Sequence, residues 1–409
     1  VVHDVGVREG GQVVGRGADV DGIENGEIVV REKQFLRETT KRYPLDPQGK
    51  MTWGILKLLK EKGFREKGLT YEARVYSPDF GMAKPTRAII RTLGPAKVSL
   101  AEGDIDAFET EIEMVSSVGS LKTSNWLDGE GIAVRTQMQM GGLSIDIRQS
   151  SEKRAKAEGE LKEDFLLDSV ISLGSELPPM APRNVFRLRA KDGNITDIAY
   201  EGKTQKIRRG DGRTLEIEVL AEDWKAIRKG KGHPLQVGPE YREANILVDC
   251  EDKLVKELAK RAGQGSRSPF ETAERLCSFV SRYVSEKNFS VGFASASEVA
   301  RKREGDCTEH GILLAALGRA LGIPSRVATG IVYAKEFKGT KNAMVYHMWT
   351  QFYLRGRWVN FDSALRKVRC PADRIIFFVS SMKEDSMVES MLPTSELIGN
   401  LSVERIDSP

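Results

Sequence analysis

"GDCTEHGILLAALGRALGIPSRVATG", residues 305–330, sets a cysteine at the start of a stretch that reads as a buried helix. Asp306 stands where an N-cap belongs, and Glu309 three residues later completes a capping-box pattern. Ile312, Leu313, Ala316, Leu317, Ala320 and Leu321 recur at helical spacing, giving one buried stripe, and Gly322 and Pro324 close the run. A free cysteine is commonly a small core residue. A helix N-terminus, however, presents unpaired N–H groups and the positive end of the dipole, which favour thiolate over thiol. The same amides can hold an oxyanion. Cys307 is therefore better placed as a nucleophile than as a core filler.

A nucleophile needs a base, and the chain has four histidines, His3, His233, His310 and His347. His3 and His233 lie in segments without periodicity. His310 follows Cys307 by three residues, so it points along the helix axis and is the second choice. His347 lies in "VYHMWTQFYLRGRWVNFDSAL", which reads as two strands joined by a turn at Arg355-Gly356. With that turn, Leu354 pairs with Arg357, and counting outward sets Asp362 opposite Trp349. Asp362 then lies diagonally across from His347, at roughly 7 to 8 Å between backbones, within reach of an imidazole and a carboxylate. A three-residue turn would send Asp362 to the other face. The order Cys307, His347, Asp362 follows the logic of thiol, base and the group that orients the base.

The rest of the sequence bounds this reading. A chain of 409 residues favours two or three domains. A net charge of +4, with no basic block interleaved with aromatics, does not point to nucleic acid. No apolar run reaches the roughly 20 residues of a membrane span. The four cysteines, Cys250, Cys277, Cys307 and Cys370, have no short paired spacing, so free thiols are expected. Within "SPFETAERLCSFVSRYVSEK", which carries Ser268 and Glu271 as a capping box, Cys277 shares a face with Leu276, Val280 and Val284 and reads as core. From residue 70 to 149, alternating runs such as "TYEARVYS" and "LSIDIRQ" are broken by Gly, Pro and Asp, which predicts an antiparallel β-meander or open barrel. Residues 150–165 predict an exposed charged helix, and Asp192-Gly193 a hairpin turn. The Gly- and Pro-rich segment 229–243 reads as the boundary between a β-rich region, 1–235, that divides into two subdomains in one version of this reading, and a catalytic domain, 236–409.

Residues 295–365 resemble the core of the transglutaminase-like superfamily, through "GDC" at 305–307, the helix running into "ALGRALGIPSRVATG", "YHMW" around His347 and "WVNFD" ending at Asp362. The resemblance implies an α+β, papain-like core of helices packed on an antiparallel sheet. It implies Cys307 as nucleophile, His347 as general base and acid, and Asp362 as the residue that fixes the imidazole. No calcium loop is recognisable, and no cofactor or metal is expected. A metal site built from Cys307 and His310 with Cys370 or His347 is the weaker alternative, because a C-x2-H pair lacks a second pair at ligand spacing. The amide of Cys307 is the expected oxyanion donor, with Tyr283 as a further candidate, whereas Phe289 has no side-chain N–H to donate. The implied activity is a cysteine protease or amidase acting on a peptide or protein substrate. Transamidation, or a binding module with a vestigial thiol site, are the alternatives. The β region is loosely similar to open barrels of bacterial envelopes, so a periplasmic or envelope location is expected over a cytoplasmic one.

Overall fold

A computed structural model describes residues 7–9, 12–14, 16–34, 37–77, 81–116, 119–140, 143–155, 170–192, 194–195, 200–229, 237–286, 294–383 and 397–406. The chain divides into two compact units, Val1–Gln139 with Ser144–Gly159, and Met140–Leu143 with Glu160–Pro409. The expectations for His3, His233 and Phe289 lie outside the described residues.

The first unit is built from β structure. Strands β1 (Val7–Glu9) and β2 (Gln12–Val14) pair with each other, and β3 (Arg16–Glu24), β4 (Glu27–Gln34) and β5 (Arg37–Pro44) form a three-stranded antiparallel sheet. A seven-stranded sheet follows, with β6 (Gly49–Met51), β7 (Thr70–Ser77), β8 (Gly81–Leu100), β9 (Gly103–Ser116), β10 (Gly119–Leu127), β11 (Ala133–Met140) and β12 (Leu143–Arg148) in sequence order across it. This is the meander the alternation predicted, and it is open, with β6 and β12 at its edges. The helix Trp53–Lys62 buries Ile55, Leu58 and Leu59 against Val75, Ala88, Ile90 and Met114 of the sheet. The charged helix expected over 150–165 is described only as Glu152–Ala155, with no buried residue.

The second unit holds the cysteine helix. Strands β13 (Val170–Ser172), β17 (Ser325–Phe337), β18 (Thr340–Leu354), β19 (Arg357–Phe361) and β20 (Arg374–Ser380) make an antiparallel sheet in the order β13-β18-β17-β20, with β19 also on β18. A second sheet, β15 (Gln205–Gly210), β16 (Thr214–Leu220), β14 (Arg183–Ala190) and β21 (Leu401–Arg405), packs Phe186, Leu188 and Ile217 against Ile331, Met344 and Ile375 of the first. That shared core is why residues 160–235 group with the C-terminal part, so the segment 229–243 falls inside the second unit. The turn expected at Asp192-Gly193 includes Gly193, which lies outside the described residues; the two edges of β14 are paired by β16 and β21.

Helices Lys253–Gly263, Pro269–Tyr283, Ala296–Lys302 and Cys307–Ala320 complete this unit. The last of these lies against β18 with the other three helices around it, so residues 309–319 are buried on every side. The single stripe read from the sequence is corrected accordingly. Ala315, Ala316 and Gly318 allow close approach, and a Cβ on Gly318 would run into the ring of Phe352. The Ser268 cap is half a capping box: its hydroxyl accepts from the amide of Glu271, while the Glu271 carboxylate turns to the amide of Arg267.

Candidate active site

The helix that carries Cys307 begins as its caps require. The Asp306 carboxylate accepts from the amide of Thr308 at 2.8 Å, and Glu309 reaches back to the amide of Asp306 at 3.0 Å. Cys307 is the first helical residue, and its amide has no acceptor within the helix. The second oxygen of Glu309 accepts from Ala294 at 3.2 Å, which ties the helix start to the segment before Ser295. Burial, reinforced by the neighbouring Asp306 carboxylate, pushes Glu309 up to about 7. Cys307 is the one half-exposed cysteine, whereas Cys250, Cys277 and Cys370 are buried thiols.

The hairpin has the register the sequence predicted. Arg355 and Gly356 both adopt positive φ, 49° and 82°, as a two-residue turn of this hand needs, and Leu354 pairs with Arg357. The ladder then runs to Thr350 opposite Phe361, and Asp362 follows directly. On the same edge of β18, β13 pairs with residues 343–345 and β19 with 350–354, so among the described residues the stretch 346–349 between them has no strand beside it. His347 sits in that gap. Two side-chain bonds fasten the hairpin to the cysteine helix: Thr350 Oγ1 donates to the carbonyl of Gly311 at 2.9 Å, and Ser363 Oγ to that of His310 at 3.3 Å.

His347 Nε2 lies 3.0 Å from Asp362 Oδ2, with Asp362 fully buried. Burial works against a charge on the ring, but the Asp362 carboxylate outweighs it, and the Cys307 sulfur is close enough to add to the effect. The imidazole is pushed up to about 10. Burial also opposes the Asp362 charge, and His347 followed by Arg374 hold that carboxyl far below the usual carboxylate range. The three residues singled out from the sequence are thus brought together, each on the element expected for it. His310 is not among them, since its Nδ1 is held 2.7 Å from the backbone oxygen of Asp306 on its own helix. Tyr283 is also committed elsewhere, its hydroxyl donating to the carbonyl of Ala300 at 2.6 Å.

Sequence reasoning missed a set of polar side chains behind the hairpin. Arg374 Nη1 donates to the same Asp362 oxygen at 2.8 Å, its Nε to Asp373 at 3.1 Å, and Lys367 pairs with Asp373 in turn. The Arg374 guanidinium also lies over the ring of Trp349, 5.2 Å from its centroid, and that ring stacks on His347 at 6.1 Å. Trp349 Nε1 donates to Asn360 Oδ1 at 2.7 Å, and Gln351 donates to the same oxygen at 2.8 Å. Asn360 leans in turn on Glu222, donating its Nδ2 at 3.2 Å. Burial pushes Glu222 up to about 7 even though Asn360 favours its charge. Among the described residues no group of three metal-ligating side chains occurs, and no helix is long and apolar enough to cross a membrane.

Residues 256–363 match the family model of the Transglutaminase-like superfamily. No curated protein sequence matches this chain. Among solved structures, a candidate cysteine protease from Cytophaga hutchinsonii is similar at 14% identity and a TM-score of 0.37, over 56% of this chain and 89% of that one. The periplasmic domain of TgpA from Pseudomonas aeruginosa, bound to ethylmercury, is similar at 13% identity and a TM-score of 0.30, over 46% of this chain and 73% of that one.

Proposed function

We propose that this chain, whose residues 256–363 belong to the transglutaminase-like superfamily, is a thiol-dependent amide acyl-transfer enzyme, a protease or amidase acting on a peptide or protein substrate. The observation that carries the reading is the buried pair His347 Nε2 to Asp362 Oδ2 at 3.0 Å, with the Cys307 sulfur acting on the same ring. Because the imidazole is pushed up to about 10, it carries its proton at neutral pH. With Nε2 turned to Asp362, Nδ1 is the nitrogen that faces the thiol. Cys307 attacks the carbonyl carbon as a thiolate, and the oxyanion takes the Cys307 amide as a donor. His347 gives its proton to the leaving amine, and the ring, now neutral, takes a proton from water as that water attacks the thioester. The second step releases the acid and restores the imidazolium. Asp362 holds the ring and balances its charge.

An amine in place of water gives transamidation through the same intermediate. Hydrolysis is the reading preferred here, on the sequence argument that no calcium-gated architecture is recognisable. An envelope location goes with this reading and is tested by fractionation of cells expressing the gene. The direct experiment is incubation with a peptide library, with and without a primary amine, followed by intact mass of the enzyme and of the peptides. A thioester adduct on Cys307 and cleaved or deamidated peptides are expected. An inert thiol under all conditions would overturn the reading, and amine incorporation in preference to hydrolysis would replace protease by transamidase.

A further inference from the structure

Asp362 has two cationic partners on one oxygen. His347 Nε2 and Arg374 Nη1 meet Oδ2 at 3.0 and 2.8 Å, while Oδ1 accepts from the amide of Leu365 at 3.0 Å. We propose that Arg374 is a positioning residue for the thiol site, fixing the Asp362 carboxylate as an anion in the one orientation that meets His347.

The guanidinium is itself held on three sides. Asp373 takes Nε, Asp362 takes Nη1, and the ring of Trp349 lies 5.2 Å from its centre. The remaining nitrogen, Nη2, is buried and meets no acceptor among the described residues. The planar fork thus points two N–H directions at two carboxylates in a fixed relation, which a lysine cannot copy. Arg374 is 3% exposed and Asp362 is fully buried, so solvent does not screen the pair.

The charged and titratable groups that face Asp362 are His347 on β18, Arg374 on β20, Cys277 on helix Pro269–Tyr283 and Cys370 on the connection into β20, with Lys367 and Asp373 behind Arg374. Both buried thiols are shifted upward, Cys370 to about 12, by burial first, so they stay neutral beside Asp362. Arg374 and His347 are then its two facing cations. Without Arg374, a buried carboxylate would depend for its charge on the imidazolium and the Leu365 amide, and its proton affinity would rise. A neutral Asp362 no longer supports the imidazolium, and the imidazolium no longer supports the Cys307 thiolate. The site would fail first at low pH.

This inference rests on the thiol-enzyme reading above, and one set of measurements separates the two. The rate of iodoacetamide alkylation at Cys307 is followed by peptide mapping from pH 4 to 9 in the full chain, for wild type, His347→Ala, Arg374→Gln and Arg374→Lys, with folding checked by circular dichroism. Relative to wild type, Arg374→Gln is expected to move the acid limb toward neutral pH by roughly one unit or more, the effect of removing an arginine from beside an aspartate. Arg374→Lys keeps the charge but loses the fork, so its acid limb should stay close to wild type while its plateau rate falls about threefold or more. If Arg374→Gln does not fold, the Lys variant decides, and a wild-type plateau and limb in that protein overturn the proposal. A folded Arg374→Gln with a wild-type profile also overturns it, even if its melting temperature drops, because a merely structural arginine would move only the latter. If wild type and His347→Ala alkylate alike, the thiol-enzyme reading fails instead.

Discussion

The two units both place arginines beside carboxylates, to different ends. On the open meander, Arg87 forks onto Glu72, and Arg91 bridges Glu111 and Glu113, with the side chains of the Arg87–Glu72 pair more than half exposed. In the second unit, Arg374 joins Asp362 and Asp373 where every side chain is at most 9% exposed. On the surface, water and salt compete with each ion pair, so its net contribution is small. In the interior, the attraction must outweigh desolvation, and an ion left alone is costly. The same residue types therefore serve solubility and strand register in one unit and fix protonation states in the other.

The strongest test of that contrast removes the groups whose charge the interior arrangement controls. Cys307→Ala or His347→Ala should lower turnover of any amide substrate found by screening by roughly 10⁴ to 10⁶, since no acyl-enzyme forms without the sulfur and no proton reaches the leaving amine without the ring. Asp362→Asn should cost about 10² to 10⁴, because an amide can hold the ring but cannot balance its charge. Turnover in a folded protein equal to wild type for all three would leave Cys307 as an ordinary helix-start residue.

A second test reads stability against pH. His347 rises from 6.5 in the unfolded chain to about 10 in the folded one, so its contribution is fully present below about 6.5 and is lost as pH rises toward 10. Denaturant midpoints of wild type should fall through that window, and those of His347→Ala should not follow. Glu222 is raised from 4.5 to about 7, so stability drains away between those values as the unfolded chain ionises and the buried carboxyl does not. The size implied for this group is on the order of 3 kcal/mol. Glu222→Gln should flatten that part of the profile without removing it, because Glu309 and Asp249 are raised over the same range. An unchanged slope in Glu222→Gln would mean that the carboxyl is ionised in place.

Why the meeting of Cys307, His347 and Asp362 was legible and its surroundings were not follows from sequence distance. Cys307 announces itself through Asp306 and Glu309, both within one helical turn, and His347 and Asp362 are linked by a hairpin whose two-residue turn fixes the register by counting. Arg374 belongs to β20, which pairs with β17, so no local count brings it to Asp362. At the head of "RIIFFVS" it reads as a solvated strand end. Glu222 lies 138 residues before Asn360, and only the packing of the second sheet explains their meeting. The extent of the second unit is hidden from the sequence for a similar reason. The segment 229–243 has the composition of a linker, but hydrophobic contacts of β14 and β16 with β17 and β20 cross it.

The smallest expected effect completes the contrast. Arg87 and Glu72 form a two-bond fork, Nη2 to Oε1 at 2.6 Å and Nε to Oε2 at 3.1 Å, which by geometry alone looks stronger than the single bond from Arg374 to Asp362. Geometry is not what decides, however. Both side chains are open to solvent, at 55% and 59% exposure, so each regains hydration when its partner is removed, and each regains rotamer freedom as well. The Glu72 carboxyl is lowered, chiefly by its hydrogen bond to Arg87, and salt will screen the charge part of that shift. Arg87→Ala and Glu72→Ala, alone and together, should therefore give additive changes in denaturant midpoint with no resolvable coupling at 1 M salt. The matching cycle through Arg374 and Asp362 should show coupling that survives the same salt. A surface coupling as large and as insensitive to salt as the buried one would mean that burial is not what separates the two units.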